Sequence, residues 1–146
     1  MKVKDILASK ANAIISFIGP NDKVTDAVRF MCDSHIGSLL VQDEKGSPLG
    51  IITERDVLRA VNDSSASYES LLVSDIMTTE LICCLLGDDI SYVMKILTKN
   101  KIRHLPIVEK KRVVGLISIG DVIKCSLEES RVENRRLQDY LQLSGE

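Results

Sequence analysis

The sequence predicts an α/β fold, of the α+β kind, in which two copies of one small βαββα unit pack about a pseudo-two-fold axis and a helical tail follows. Three observations predict it. The chain repeats itself in order, each copy shows the same succession of strand and helix periodicities, and the composition calls for an aliphatic core. Apolar residues make up 45% of the 146 residues but aromatics only 3%, so that core must be built from Ile, Val, Leu and Met. Two units this small must share a core to be stable.

The repeat is read residue by residue. Val3, Asp5, Ile6 and Leu7 recur as Val73, Asp75, Ile76 and Met77, and Val24-Thr25-Asp26-Ala27-Val28 recurs as Ile90-Ser91-Tyr92-Val93-Met94. Ile36 with Leu39 recurs as Ile102 with Leu105. Gly50-Ile51-Ile52-Thr53 with Asp56-Val57-Leu58 recurs as Gly115-Leu116-Ile117-Ser118 with Asp121-Val122-Ile123.

Each copy opens its sheet with a short apolar run, residues 13–18 and 81–86, read as a strand that stops at Gly19-Pro20-Asn21 and Gly87-Asp88-Asp89. A helix follows in each: Val24, Ala27, Val28 and Met31, then Ile90, Val93, Met94 and Leu97, fall at helical spacing. Two strands come next, residues 39–41 and 49–52 around Glu44-Lys45-Gly46-Ser47, and residues 105–108 and 113–117 around Lys110-Lys111. A second helix opens at Thr53 or Ser118. Residues 62–69 are rich in Ser and Asp without apolar periodicity and read as a linker. The division expected is a first repeat over 1–64, a second over 65–127 and a helical extension over 128–146. Sheet should pack against sheet, leaving a cleft between the repeats as the natural ligand site.

Composition also excludes. A net charge of -2, with no Lys/Arg cluster and no aromatic platform, leaves no footprint for nucleic acid. No apolar run approaches the roughly 18 residues of a membrane span, and the first residues lack the apolar stretch of a signal peptide. A reducing cytoplasm is the location expected. Cys32, Cys83, Cys84 and Cys125 show no CxxC pairing and no zinc-like spacing to His35 or His104, so they read as buried small hydrophobes and no metal is expected. No nucleophile with a base and no phosphate-cradling Gly-rich loop is visible, which disfavours an enzyme.

The closing motif of each copy, Gly-hydrophobic-hydrophobic-Thr/Ser-x-x-Asp over residues 50–56 and 115–121, carries a resemblance. With Arg103-His104-Leu105-Pro106-Ile107 before the second motif and the opening Asp-Ile-Leu/Met turns, residues 3–127 resemble a tandem CBS (cystathionine β-synthase) domain pair, or Bateman module, of the stand-alone bacterial or organellar type. The resemblance implies a regulatory module that holds an adenine nucleotide in its cleft: AMP, ADP or ATP, or else NAD or S-adenosylmethionine. It implies that Asp56 and Asp121 accept hydrogen bonds from ribose hydroxyls, with Thr53 and Ser118 near ribose or phosphate, and that adenine lies against Ile14 and Ile15 or Ile82 and Cys83. A carboxylate suits a vicinal diol because it only accepts, and charged acceptors bind more strongly.

Thr53 with Asp56, and Ser118 with Asp121, equally match a helix capping box with Asp in place of Glu. The two readings are compatible. Arg103 and His104 are candidate phosphate ligands that the first copy replaces with Gly37 and Ser38, so any phosphate site is asymmetric. The resemblance also implies a homodimer and an unidentified regulated partner protein. The broken stripe Ile123, Leu127, Leu137 and Leu141 in the tail suits a helix that leans on a neighbour over part of its length. The alternative function is an interaction module with no nucleotide bound.

Overall fold

The computed structural model describes residues 1–10, 15–63 and 67–144. The first copy contains α1 (Val3–Ser9), β1 (Phe17–Ile18), α2 (Val24–Ser34), β2 (Ser38–Gln42), β3 (Pro48–Thr53) and α3 (Glu54–Asn62). The second contains a 3-10 turn at Tyr68–Ser70, then α4 (Val73–Ile76), α5 (Ile90–Asn100), β4 (His104–Glu109), β5 (Arg112–Ser118) and α6 (Ile119–Ser144).

The repeat extends to backbone detail. β2 and β3 pair antiparallel with Leu39 opposite Ile52, and β4 and β5 pair with Leu105 opposite Ile117; each ladder shifts register at the equivalent place, after Val41 and after Ile107. Helices α2 and α5 end in the same way, on His35 and Lys101 in the left-handed region at φ 54 and 53. The β4–β5 hairpin turns on Lys110 and Lys111, both at positive φ, a backbone that Asn-Gly usually supplies.

The opening strands are where expectation and structure part. In the first copy the strand among the described residues is Phe17–Ile18, parallel to β2, with Ile15 and Ser16 outside it; Ala13 and Ile14 lie outside the described residues. In the second copy residues 81–86 form no strand. A single parallel bridge joins Cys84 to Ile107, because Leu85 N–H already donates to the Asp88 carboxylate (2.8 Å) and Asp88 N–H to the Leu85 carbonyl (3.1 Å), which turns the chain away. Apolar content marked the buried segment, while hydrogen bonding set its length.

The core is shared by exchange. One buried cluster joins Ile90, Val93, Leu97, Leu105, Ile107 and Ile117 of the second copy to Val3 and Ile6 of the first copy's α1. The other joins Ala27, Met31, Leu39, Val41 and Ile52 of the first copy to Val73 of the second copy's α4. Backbone bonds repeat the exchange: Val3 N–H donates to Asp88 O (3.0 Å) and Val73 N–H to Asp22 O (2.8 Å). Each copy's opening helix therefore completes the other copy's core, the reciprocity that a pseudo-two-fold axis requires. Leu40 and Ile51 point away from Leu39 and Ile52 yet are also buried, so both faces of β2–β3 are covered.

The glycine opening each closing motif stands where an opening segment crosses its strand. A Cβ on Gly50 would lie 2.5 Å from the Thr78 carbonyl oxygen, and one on Gly115 would lie 2.7 Å from a Leu7 methyl. Past Cys125, α6 is exposed, and the Met1 ammonium pairs with Glu129 at 3.2 Å. Cys84 and Cys125 are buried and Cys83 half-buried, but Cys32 is exposed: α2 turns Val24, Ala27 and Met31 inward and places Cys32 about 100° further round.

Candidate functional site

Both closing motifs place a hydroxyl residue at the point where a strand becomes a helix. Thr53 is extended at φ -122, ψ 167 and caps α3: its hydroxyl accepts from Asp56 N–H (3.3 Å), and its own N–H donates to Asp56 Oδ2 (2.9 Å). Ser118 repeats this before α6, accepting from Asp121 N–H (3.1 Å) and donating to Asp121 Oδ2 (2.9 Å). The capping boxes are thus formed. They satisfy helix-end donors and aim one carboxylate at the start of each helix.

The two carboxylates differ in what else they meet. Asp56 is buried; its Oδ2 also accepts from the Thr53 hydroxyl (3.1 Å), and Oδ1 accepts from the Thr78 hydroxyl (3.0 Å) of the other copy's opening segment. Asp121 is partly open, and its Oδ2 pairs with the Lys10 ammonium at 2.9 Å. Burial by itself would raise the Asp121 pKa. The hydrogen bond from Lys10, the Ser118 donors and the Lys10 charge together outweigh it and hold the carboxyl below its ordinary value.

His104 lies opposite Ser118 in the β4–β5 register, and Arg103, exposed, accepts Ile119 N–H at its carbonyl (2.8 Å). Burial lowers the His104 pKa; Glu54 and Asp121 oppose this, and Lys10 and Arg103 add to it, leaving the imidazole below its ordinary value and neutral at pH 7. Gly37, the counterpart of Arg103, repeats the carbonyl contact by accepting Glu54 N–H (3.1 Å). A Cβ there would strike the Glu54 carboxylate, with His104 Cε1 3.6 Å away, so Gly37, Glu54 and His104 meet between the copies.

The structure therefore brings His104, Asp121 and Ser118 together and leaves Thr53 with Asp56 in a separate, tighter nest. Ile15, Ile82 and Cys83 are half-buried, and Ile82 packs on the second copy's core; Ile14 lies outside the described residues. Burial raises the Cys83 thiol pKa, and that of Cys84 is pushed up to about 12 by burial, with Asp88 and Cys83 adding, so both stay protonated. Lys10, Thr78 and Glu54 belong to the site but carry no motif. Lys10 is 111 positions from Asp121, and only the exchange of opening segments brings it there.

Among the described residues no group of three or more His, Cys, Asp or Glu could hold a metal ion, and no helix is long and apolar enough to cross a membrane. Between α2 and α3 of the first copy lies a largely apolar groove of about 470 Å³, lined by Val28, Met31, Val57, Leu58 and Val61, with Gly37 and Glu54 also on its wall.

Comparison with known proteins agrees with this architecture. The chain is 37% identical over 147 residues to the Arabidopsis thaliana CBS domain-containing protein CBSX3, mitochondrial, covering 96% of this chain and 71% of that one. The crystal structure of the CBS-domain containing protein ATU1752 from Agrobacterium tumefaciens superposes with a TM-score of 0.83 at 35% identity, over 86% of this chain and 99% of that one. The CBS domain pair of protein MJ0100, solved in complex with 5-methylthioadenosine and S-adenosyl-L-methionine, superposes with a TM-score of 0.77 at 25% identity, over 88% and 98%. The CBS domain family model matches residues 3–63 and 73–128. With both copies matched and the tandem fold shared, this chain belongs to the CBS-domain family.

Proposed function

We propose that this chain is a regulatory module that binds an adenine nucleotide between its repeats and passes the change in shape to a partner protein. The observation that carries this reading is the duplicated carboxylate at a strand-to-helix turn, Asp56 after β3 and Asp121 after β5, in a fold whose MJ0100 relative holds adenosyl compounds. A carboxylate suits a ribose diol and a helix start suits an anion. In this reading Asp56 and Asp121 take ribose, Thr53, Ser118, Arg103 and His104 lie toward ribose or phosphate, and adenine rests on Ile14 and Ile15 or Ile82 and Cys83. The half-burial of Ile15, Ile82 and Cys83 supports an apolar surface that a base can reach. The working units are residues 1–64 and 65–127, with 128–146 as an extension. The module performs no catalysis of its own and works in a reducing compartment such as the cytoplasm, which suits its four free cysteines.

The test is a thermal-shift series with AMP, ADP, ATP, NAD and S-adenosylmethionine. A ligand that binds only the folded state stabilises it by mass action, by about 2.7 kcal/mol at a hundred times Kd, and so raises the midpoint. No shift with any of the five would overturn nucleotide binding. It would favour the second reading, an interaction module with an empty cleft, which is supported by the fact that Asp56 and Asp121 already have partners within the chain.

The module acts as a homodimer. The apolar groove of α2 and α3, with Leu58 and Val61 exposed in its wall, Phe30 exposed on α2, and Ile123 and Leu127 exposed on α6, supports a helical contact with a second copy. Light scattering at micromolar concentration should give twice the chain mass; a monomer mass would refute this. A dimer that survives truncation after Glu129 would place the contact on the helices rather than on the tail.

A further inference from the structure

Lys10 lies one residue beyond α1, yet its ammonium is held at two points of the other copy: 2.9 Å from Asp121 Oδ2 and 3.0 Å from the Leu116 carbonyl oxygen. The pseudo-equivalent carboxylate, Asp56, is met instead by the hydroxyl of Thr78. The repeat alignment shows that this difference is built into the chain, since Lys10 corresponds to Glu80 and Thr78 to Ala8. Arg55, the chain neighbour of Asp56, is turned to the Lys101 carbonyl (3.2 Å). One carboxylate is therefore buried against a neutral hydroxyl. The other is 24% exposed, faces a cation on a long flexible stem that is itself 31% exposed, and has His104 on the adjoining strand with Arg103 just before it.

An ammonium on a carboxylate in the empty protein can change partners at little cost when a ligand brings both a diol and an anion. The ribose hydroxyls replace its hydrogen bond to Asp121, and the phosphate offers a stronger, doubly charged acceptor. S-adenosylmethionine instead places a sulfonium next to the ribose, where AMP has its phosphate, and this repels the ammonium, while its singly charged carboxylate lies several bonds farther out. We propose that Lys10 makes the Asp121 side the phosphate-selective site of the module, so that AMP-like nucleotides bind there in preference to adenosine or S-adenosylmethionine, while the Asp56 side does not make this distinction. This rests on the nucleotide-binding reading above.

Calorimetric titration of the full chain with AMP, adenosine and S-adenosylmethionine tests it, using the native protein, Lys10→Met and Lys10→Arg. The native chain should bind AMP at least roughly tenfold more tightly than adenosine, the effect of one charge-assisted hydrogen bond. Lys10→Met should weaken AMP roughly tenfold while leaving adenosine equal or tighter, because Asp121 is released, and Lys10→Arg should restore the preference. If Lys10→Met does not fold, Lys10→Gln keeps a donor for Asp121 and Leu116 without the charge and is read in the same way. An AMP-to-adenosine ratio unchanged by removal of the charge overturns the role of Lys10 and leaves nucleotide binding standing. A native chain that binds none of the three compounds overturns both.

Discussion

Replacing Asp56 and Asp121 separately by Asn isolates how differently the two carboxylates are built in. Asn keeps the size and one acceptor oxygen but removes the charge. At Asp56 three donors lose a charged acceptor: Thr53 N–H (2.9 Å), the Thr53 hydroxyl (3.1 Å) and the Thr78 hydroxyl (3.0 Å). A bond to a charged group contributes about 1 kcal/mol more than a neutral one, so the buried site should lose about 2–3 kcal/mol. At Asp121 Ser118 N–H likewise loses a charged acceptor and Lys10 loses its ion pair, but the site is partly exposed and solvent screens both, so the loss should be about 1 kcal/mol in all. Urea melts of the nucleotide-free protein at matched concentration should show a lower midpoint for Asp56→Asn than for Asp121→Asn, at unchanged slope. For a chain of this size the difference corresponds to about 2–8 °C in Tm. If Asp121→Asn costs as much as Asp56→Asn, the contrast between a nested and an open carboxylate is wrong.

Three further outcomes follow from particular residues. Because burial lowers the pKa of His104 from 6.5, the native state binds fewer protons there than the unfolded chain; its contribution is whole above pH 6.5 and is lost as pH falls toward the depressed value. His104→Gln should flatten the pH dependence of stability between pH 7 and 5, and an unchanged slope in denaturant melts would show that the imidazole is not buried neutral. Lys110→Asn with Lys111→Gly should raise stability by about 1 kcal/mol, since both lysines occupy positive φ in a two-residue hairpin; a calorimetric Tm equal to or below the native one counts against that turn. Gly50→Ala should cost about 1–3 kcal/mol and more than Gly115→Ala, because the new methyl meets the Thr78 backbone oxygen in one case and the end of the Leu7 side chain in the other. Equal chemical-denaturation midpoints for the two would remove the close crossing at Gly50.

The sequence by itself determined whatever depends on periodicity and local chemistry. Val24, Ala27 and Met31 at helical spacing do face the core, Leu39–Ile52 and Leu105–Ile117 do form equivalent pairs, and Thr53 with Asp56 and Ser118 with Asp121 do cap their helices, because each of these contacts spans a few residues or one tight hairpin. Only the tertiary structure decided what crosses from one copy to the other. Val3 and Ile6 bury themselves in the second copy and Val73 in the first, and this exchange carries Lys10 to Asp121 and Thr78 to Asp56. Nothing in the spacing of residues more than twenty or a hundred positions apart encodes such a meeting. Whether the opening segments crossed over or folded back on their own copy was left to the packing of two half-cores, each too small to close without the other's helix.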